Sequence, residues 1–134
     1  MKETMAYKIV SKNWKSFILD NVNGKQYNRP EKYILSYKLN EETRCVKNSI
    51  GIMCFKSYGA AQMFYHDNIR NKCIILEVDG KDQKPLNTLC DSITRLDCFY
   101  NSPLEYRKLY ESDAFPHGTI CFESIIPLKI IEIY

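Results

Sequence analysis

A chain of 134 residues has the usual size of one domain and is long enough to bury a core of its own, and its 45% hydrophobic and 26% charged residues fit a folded domain rather than a disordered tract. The net charge is only +3 but uneven: residues 1–50 carry 10 Lys/Arg against 5 Asp/Glu, and residues 51–134 carry 9 against 11. No dense Lys/Arg stripe points to duplex nucleic acid. No apolar run approaches the ~20 residues of a membrane helix, and the start MKETMAYKIV lacks the apolar stretch of a leader.

In chain order, residues 6–10 and 14–19 read as strands, the second rich in aromatic and branched side chains. Asn21-Val-Asn-Gly-Lys25 is a turn, because Asn-Gly supplies the positive φ of a tight hairpin. Residues 33–39 alternate like a strand, 40–48 are a polar loop, and the continuous apolar run 51–55 is a buried strand. A helix is expected over 57–69. Ser57 is its N-cap, and Ala60, Ala61, Phe64 and Tyr65 fall on one face.

Residues 73–78, CIILEV, form a strand, followed by a polar connection over 80–87 that contains Pro85. Over 88–100, the spacing of Leu89, Ile93, Leu96 and Tyr100 is helical, with Asp91 and Arg95 as an i, i+4 pair. Pro103 ends it, and 104–111 is a further helical turn or a loop. Strands close the chain at 118–122 and 126–134, separated by a kink at Pro127. Together these elements give a single α+β domain: an antiparallel or mixed sheet with about two helices packed on it. Its core should include Ile52, Cys54, Ala61, Phe64, Ile74, Leu76, Leu96, Ile120 and Ile130.

Six cysteines without a Cys-x-x-Cys pair, and only two histidines, argue against zinc. With no leader, all six are expected as reduced thiols in a cytoplasm. No Gly-x-Ser-x-Gly elbow, Walker loop or His-Glu-x-x-His motif marks an enzyme.

Three groups have the chemistry of a nucleotide site. Tyr27, Asn28 and Arg29 precede Pro30. Lys56 and Ser57 stand at a helix start, where free N–H groups and the dipole favour an anion. Arg95, Phe99, Tyr100, Asn101 and Ser102 combine a phosphate ligand, stacking faces and an amide able to read a base edge. Arg44, and His117 with Thr119 ahead of the strand at 118–122, complete the candidates. Each group also has a plain reading: solvated charge, turn histidine, or aromatic core.

The pieces YILSYKL, GIMCFKSYGAAQMF, CIILEVDG, LDCFYN and GTICFESIIPLKI, taken in this order, resemble the first family of phage Thoeris anti-defence proteins over residues 5–134. The resemblance implies a sponge without cofactor or metal, acting in the host cytoplasm. Such proteins bind glyco-cyclic ADP-ribose made by a host TIR enzyme without cleaving it, bind small cyclic oligonucleotides, and assemble as oligomers. The centre of the chain is also similar to ADP-ribosyltransferase folds, which would make Glu123 a catalytic glutamate stabilising an oxocarbenium-like transition state. That reading lacks an evident early residue to grip a dinucleotide. A protein-binding inhibitor with no small ligand is the third class.

Overall fold

The structure is a computed structural model that describes residues 4–16, 34–46, 51–66, 72–85, 89–90, 111–112 and 116–134. Its longest element, the last strand, organises the rest. The elements are β1 (Thr4–Ser11), β2 (Thr43–Arg44), β3 (Ile52–Phe55), α1 (Tyr58–Phe64), β4 (Cys73–Lys84), β5 (Leu89–Cys90), β6 (Glu111–Ser112) and β7 (Thr119–Ile133). Along one edge β7 pairs with β4, from Ile74↔Ile133 to Lys84↔Cys121. Along the other it pairs with β3, from Phe55↔Thr119 to Ile52↔Phe122, and then with β2 at Thr43↔Ile125 and Arg44↔Ser124. β1 lies antiparallel to β4 from Thr4↔Gly80 to Ser11↔Cys73 and meets β3 at Tyr7↔Phe55. The circuit β1–β4–β7–β3 therefore closes on itself, with β2 as an extension of β7. β5 and β6 form a separate two-stranded ladder.

Closure gives the strands an inside and an outside, and each has its own core. Inside pack Ala6, Val10, Cys54, Leu76, Val78 and Phe122 with Ile52, Ile74, Ile120 and Ile125, and Tyr37 from the 34–40 segment is buried among them. Outside, α1 lays Ala60 and Ala61 on Ile9, Phe55, Cys73 and Ile75. The apolar run of β4 thus divides by strict alternation, Ile74 and Leu76 inward and Cys73 and Ile75 outward. Both faces being covered is why it reads as a continuous apolar stretch.

The sheet is wholly antiparallel, and among the described residues it carries one helix, not two. The helix expected over 88–100 is contradicted at its start, where Leu89 and Cys90 are strand, and Glu111, placed in a helical turn or loop, pairs with Cys90. Residues 91–100, including Leu96, lie outside the described residues. Around α1 the expectation over 57–66 agrees: Ser57 is extended (φ −139°, ψ 156°), and its Oγ accepts the Ala60 N–H at 3.1 Å. Residues 67–69 lie outside the described residues.

The strands differ from the sequence reading at several places. Residues 119–133 are one strand rather than two, because Pro127 sits beside a register shift. The ladder there passes from Glu77↔Lys129 to Val78↔Pro127, and the bulge accommodates a residue without an N–H. The polar stretch 80–84 is strand rather than connection, since β7 pairs with Gly80, Lys81, Gln83 and Lys84. The loop 40–48 contains β2, whereas 14–16 and 34–39 contribute only the isolated bridges Val10↔Ser16 and Lys15↔Ser36.

Of the expected core, Ile52, Cys54, Ala61, Ile74, Leu76 and Ile120 are buried, and Phe64 is half-buried against the outer core. Ile130 is 41% exposed: register shifts on either side of it turn the face that simple alternation would bury. Cys45, Cys54, Cys73 and Cys121 are free thiols. No helix among the described residues is long and apolar enough to cross a membrane.

Candidate functional site

Four of the residues expected in a site come together. β3 ends against the start of β7, so the Lys56 N–H donates to the Gly118 carbonyl at 2.8 Å, and Phe55 pairs with Thr119. Gly118 has φ +78°, and a Cβ there would meet the Ala60 Cβ at 2.7 Å, so the 116–118 turn seats directly on the first turn of α1. Lys56, Ser57, His117 and Thr119 are thereby neighbours along the chain path.

Their polar atoms are not equally available. Ser57 Oγ caps α1. Thr119 is buried, and its Oγ1 donates to the Pro116 carbonyl at 2.5 Å. The side chains of Lys56 and His117 are exposed, and no hydrogen bond or ion pair within the described residues engages them. This end of the fold therefore offers one ammonium and one imidazole.

Arg44 is elsewhere. It pairs with Ser124, five residues along β7 from Thr119, or roughly 17 Å at strand spacing. Its guanidinium is exposed and lies 3.7 Å from Glu42. Tyr27, Arg29, Arg95, Phe99, Tyr100 and Asn101 lie outside the described residues. Glu123 is half-exposed, and its carboxylate lies 3.5 Å from Lys84 Nζ across the β4–β7 pair. Glu42 shows the same pattern, held by Arg44, Lys81 and the Ser124 hydroxyl. No group of three His, Cys, Asp or Glu side chains among the described residues could hold a metal ion.

A second feature escaped the sequence reading. A cleft of about 540 Å³ opens between the turn after β1 and the 36–39 segment, lined by Asn13, Trp14, Ser36, Tyr37, Lys38 and Leu39. Trp14 is left-handed at φ +60°, an unfavourable conformation for a bulky residue, and a dense set of bonds imposes it. Ser11, 1% exposed, accepts the Asn13 and Lys15 N–H groups on its hydroxyl at 3.2 Å each. Its carbonyl accepts the Trp14 N–H at 2.9 Å, and its own N–H donates to the Lys15 carbonyl at 2.9 Å. Tyr37 N–H then donates to the Trp14 carbonyl at 2.8 Å, tying the turn to the second wall.

The available signal was the lone tryptophan in Lys12-Asn-Trp-Lys15, an aromatic between two cations. Reading 14–19 as a strand hid it.

Beneath the cleft the interior is polar at one point. Lys8 shares a strand face with Ala6 and Val10, yet its ammonium donates to the Met53 carbonyl at 2.8 Å and lies 5.8 Å from the centre of the Tyr37 ring. Burial raises the Tyr37 phenol pKa above its usual value, and the Lys8 charge opposes that rise.

This cleft is separate from the Lys56–His117 group. Phe55 pairs with Tyr7, whereas Trp14 follows Ser11, on the order of 13 Å further along β1. Comparison with protein-family models, with curated proteins and with solved structures returned no match to this chain.

Proposed function

We propose that this chain binds and sequesters a cyclic nucleotide immune signal, glyco-cyclic ADP-ribose or a cyclic oligonucleotide, without cleaving it, and so counters a host's anti-phage defence from within the host cytoplasm. The observation that carries the reading is the juxtaposition of Lys56 and His117 at the β3–β7 end, two exposed side chains suited to an anionic phosphate. Retention rather than turnover is favoured by Glu123. A catalytic glutamate needs a carboxylate facing the reacting carbon, whereas Glu123 is paired with Lys84. Tyr27, Arg29, Arg95, Phe99, Tyr100 and Asn101 supply the stacking faces and further cations of the same proposal.

Assembly of several copies belongs to it too. Leu128, Ile130 and Ile133 are exposed on β7, and among the described residues no strand pairs with the edge of 128–133 that faces away from β4. Arg44, too distant to share a small ligand with Lys56 inside one copy, would serve a neighbour's.

The test is to incubate pure protein with cyclic ADP-ribose isomers and cyclic oligonucleotides, remove unbound ligand, denature by heat, and identify what is released by mass spectrometry. Intact ligand is expected. A charge-assisted hydrogen bond contributes roughly 1.5–3 kcal/mol, so Lys56→Ala with His117→Ala should weaken capture by about tenfold or more. Arg95→Ala and Asn101→Ala should abolish tight capture, and Glu123→Gln should leave it unchanged. Release of a converted ligand, lost in Glu123→Gln, would replace sequestration by an ADP-ribosyltransferase-like activity. Absence of any capture would leave a protein partner as the target.

A further inference from the structure

We propose that the Trp14 cleft is a second, separate binding site, one that stacks the base of a purine nucleotide on the indole and holds its phosphate with the lysines around the rim. The inference goes beyond the sequestration reading and rests on different residues.

The first support is the tryptophan itself. It packs one side against the interior core and also lines the cleft. Trp14 is only half-buried, so part of its ring stays open to a ligand. The left-handed backbone at Trp14 is imposed by the Ser11-centred bonds, which fix where the ring stands before any ligand arrives. A ring held in advance loses little freedom on stacking.

The second support is charge. Lys38 is a wall of the cleft, and Lys12 and Lys15 flank Trp14 on the turn. No carboxylate is paired with any of the three among the described residues. Of the nearby acids, Glu42 is committed to Arg44 and Lys81, which leaves Glu41 as the one opposing charge on this segment. A site with that balance favours an anion. The Ser36 hydroxyl adds a polar group suited to a base edge or ribose.

The third support is size together with what the lining lacks. The cleft, of about 540 Å³, is broad and open to solvent, with room for one base stacked on the indole. The lining residues include no histidine, cysteine or carboxylate.

Trp14 is the only tryptophan in the chain, so its emission reports on this cleft alone. The experiment titrates the full-length protein with adenosine 5′-monophosphate, adenosine, ribose 5-phosphate and an oligo-adenylate single strand, following tryptophan emission and calorimetric heat in parallel. Adenosine 5′-monophosphate should change the emission saturably, with the calorimetric midpoint. Adenosine should do so about tenfold more weakly, and ribose 5-phosphate should leave the emission unaltered. Lys38→Ala, an exposed change that the fold tolerates, should weaken the monophosphate about tenfold while leaving adenosine where it was.

Heat of binding without an emission change, no binding of the monophosphate at millimolar concentration, or equal loss for both ligands in Lys38→Ala would each overturn the proposal. Much tighter, steeply salt-dependent binding of the oligo-adenylate would also overturn it, in favour of a single-strand nucleic-acid surface. The two proposals fail separately. Cyclic ligand captured with Trp14 silent removes this site and leaves sequestration standing, and an emission response to the monophosphate without cyclic-ligand capture does the reverse.

Discussion

Replacing Gly80 by alanine probes the closure of the sheet at its tightest point. Gly80 lies in β4 between two partners, paired with Thr4 of β1 on one side and with Ile125 of β7 on the other. An ideal Cβ there would fall among the ring-edge atoms of Phe122, overlapping Cε1 and Cζ and lying 2.5 Å from Cε2, where ordinary contact begins at 3.4 Å. The ring would have to retreat by about 1 Å, yet Phe122 is 0% exposed and the backbone of Gly80 is held from both edges. Overpacking of this kind costs about 1–3 kcal/mol, and with neither side able to yield the upper end applies. For a chain of this length about 3 kcal/mol lowers Tm by roughly 10 °C. Phe122→Leu removes the ring edge at a cost of about 1–2 kcal/mol. In that background Gly80→Ala should cost about 1 kcal/mol or less, leaving a coupling of about 2 kcal/mol between the two positions. Urea unfolding of the wild type, both single variants and the double variant, followed by far-UV circular dichroism, measures it. An equal cost for Gly80→Ala in both backgrounds would refute the closed packing of Phe122 over β4.

Burial pushes the Cys54 thiol up to about 12 and those of Cys73 and Cys121 up to about 11, against an ordinary 9.0. At pH 8 iodoacetamide should therefore leave these three unmodified in the folded protein and label them in urea, with half-buried Cys45 reacting before them; peptide mapping reads the order, and prompt native labelling of Cys54 would contradict its place inside the sheet. The same raised values set the pH dependence. Folding favours the neutral thiols, so this contribution is fully present below the unfolded value near pH 9 and is lost as pH rises through about 11–12, which thermal melts across pH 8–11 should show as a falling Tm. Ser57→Ala removes the Ala60 cap and should cost about 1 kcal/mol, whereas Ser57→Asp should retain most of it; parallel melts separate the two, and equal loss would mean that the hydroxyl is not capping α1.

What was legible in the sequence is what local chemistry decides. The runs Ile52–Phe55 and Cys73–Val78 announce themselves because both faces are covered, and Ser57 announces α1 because an N-cap is a local device. What was not legible is decided by partners far along the chain. Pro127 reads as a break until β4 is found opposite it with a bulge beside it. Gly80 to Lys84 reads as a polar connection until β7 pairs with it. On the inward face of β1, between Ala6 and Val10, Lys8 stands where a core residue belongs. Only the carbonyl of Met53 and the ring of Tyr37, from two other segments, give that ammonium a place.

The candidate sites divide in the same way. The helix start at Lys56 was visible as local chemistry, but its pairing with His117 required the β3–β7 register. The Trp14 cleft exists only because Tyr37 bonds back across 23 positions. This division sets how the two kinds of residue respond to change. Gly80, Phe122 and Cys54 are held inside the closed circuit, so their replacement reads out in unfolding. Lys56, His117 and Lys38 stand exposed on its turns and connecting segments, where surface substitutions usually shift stability by less than about 0.5 kcal/mol. A variant at one of these three positions that loses ligand while keeping its Tm thus speaks to binding alone, which is the separation both functional proposals require.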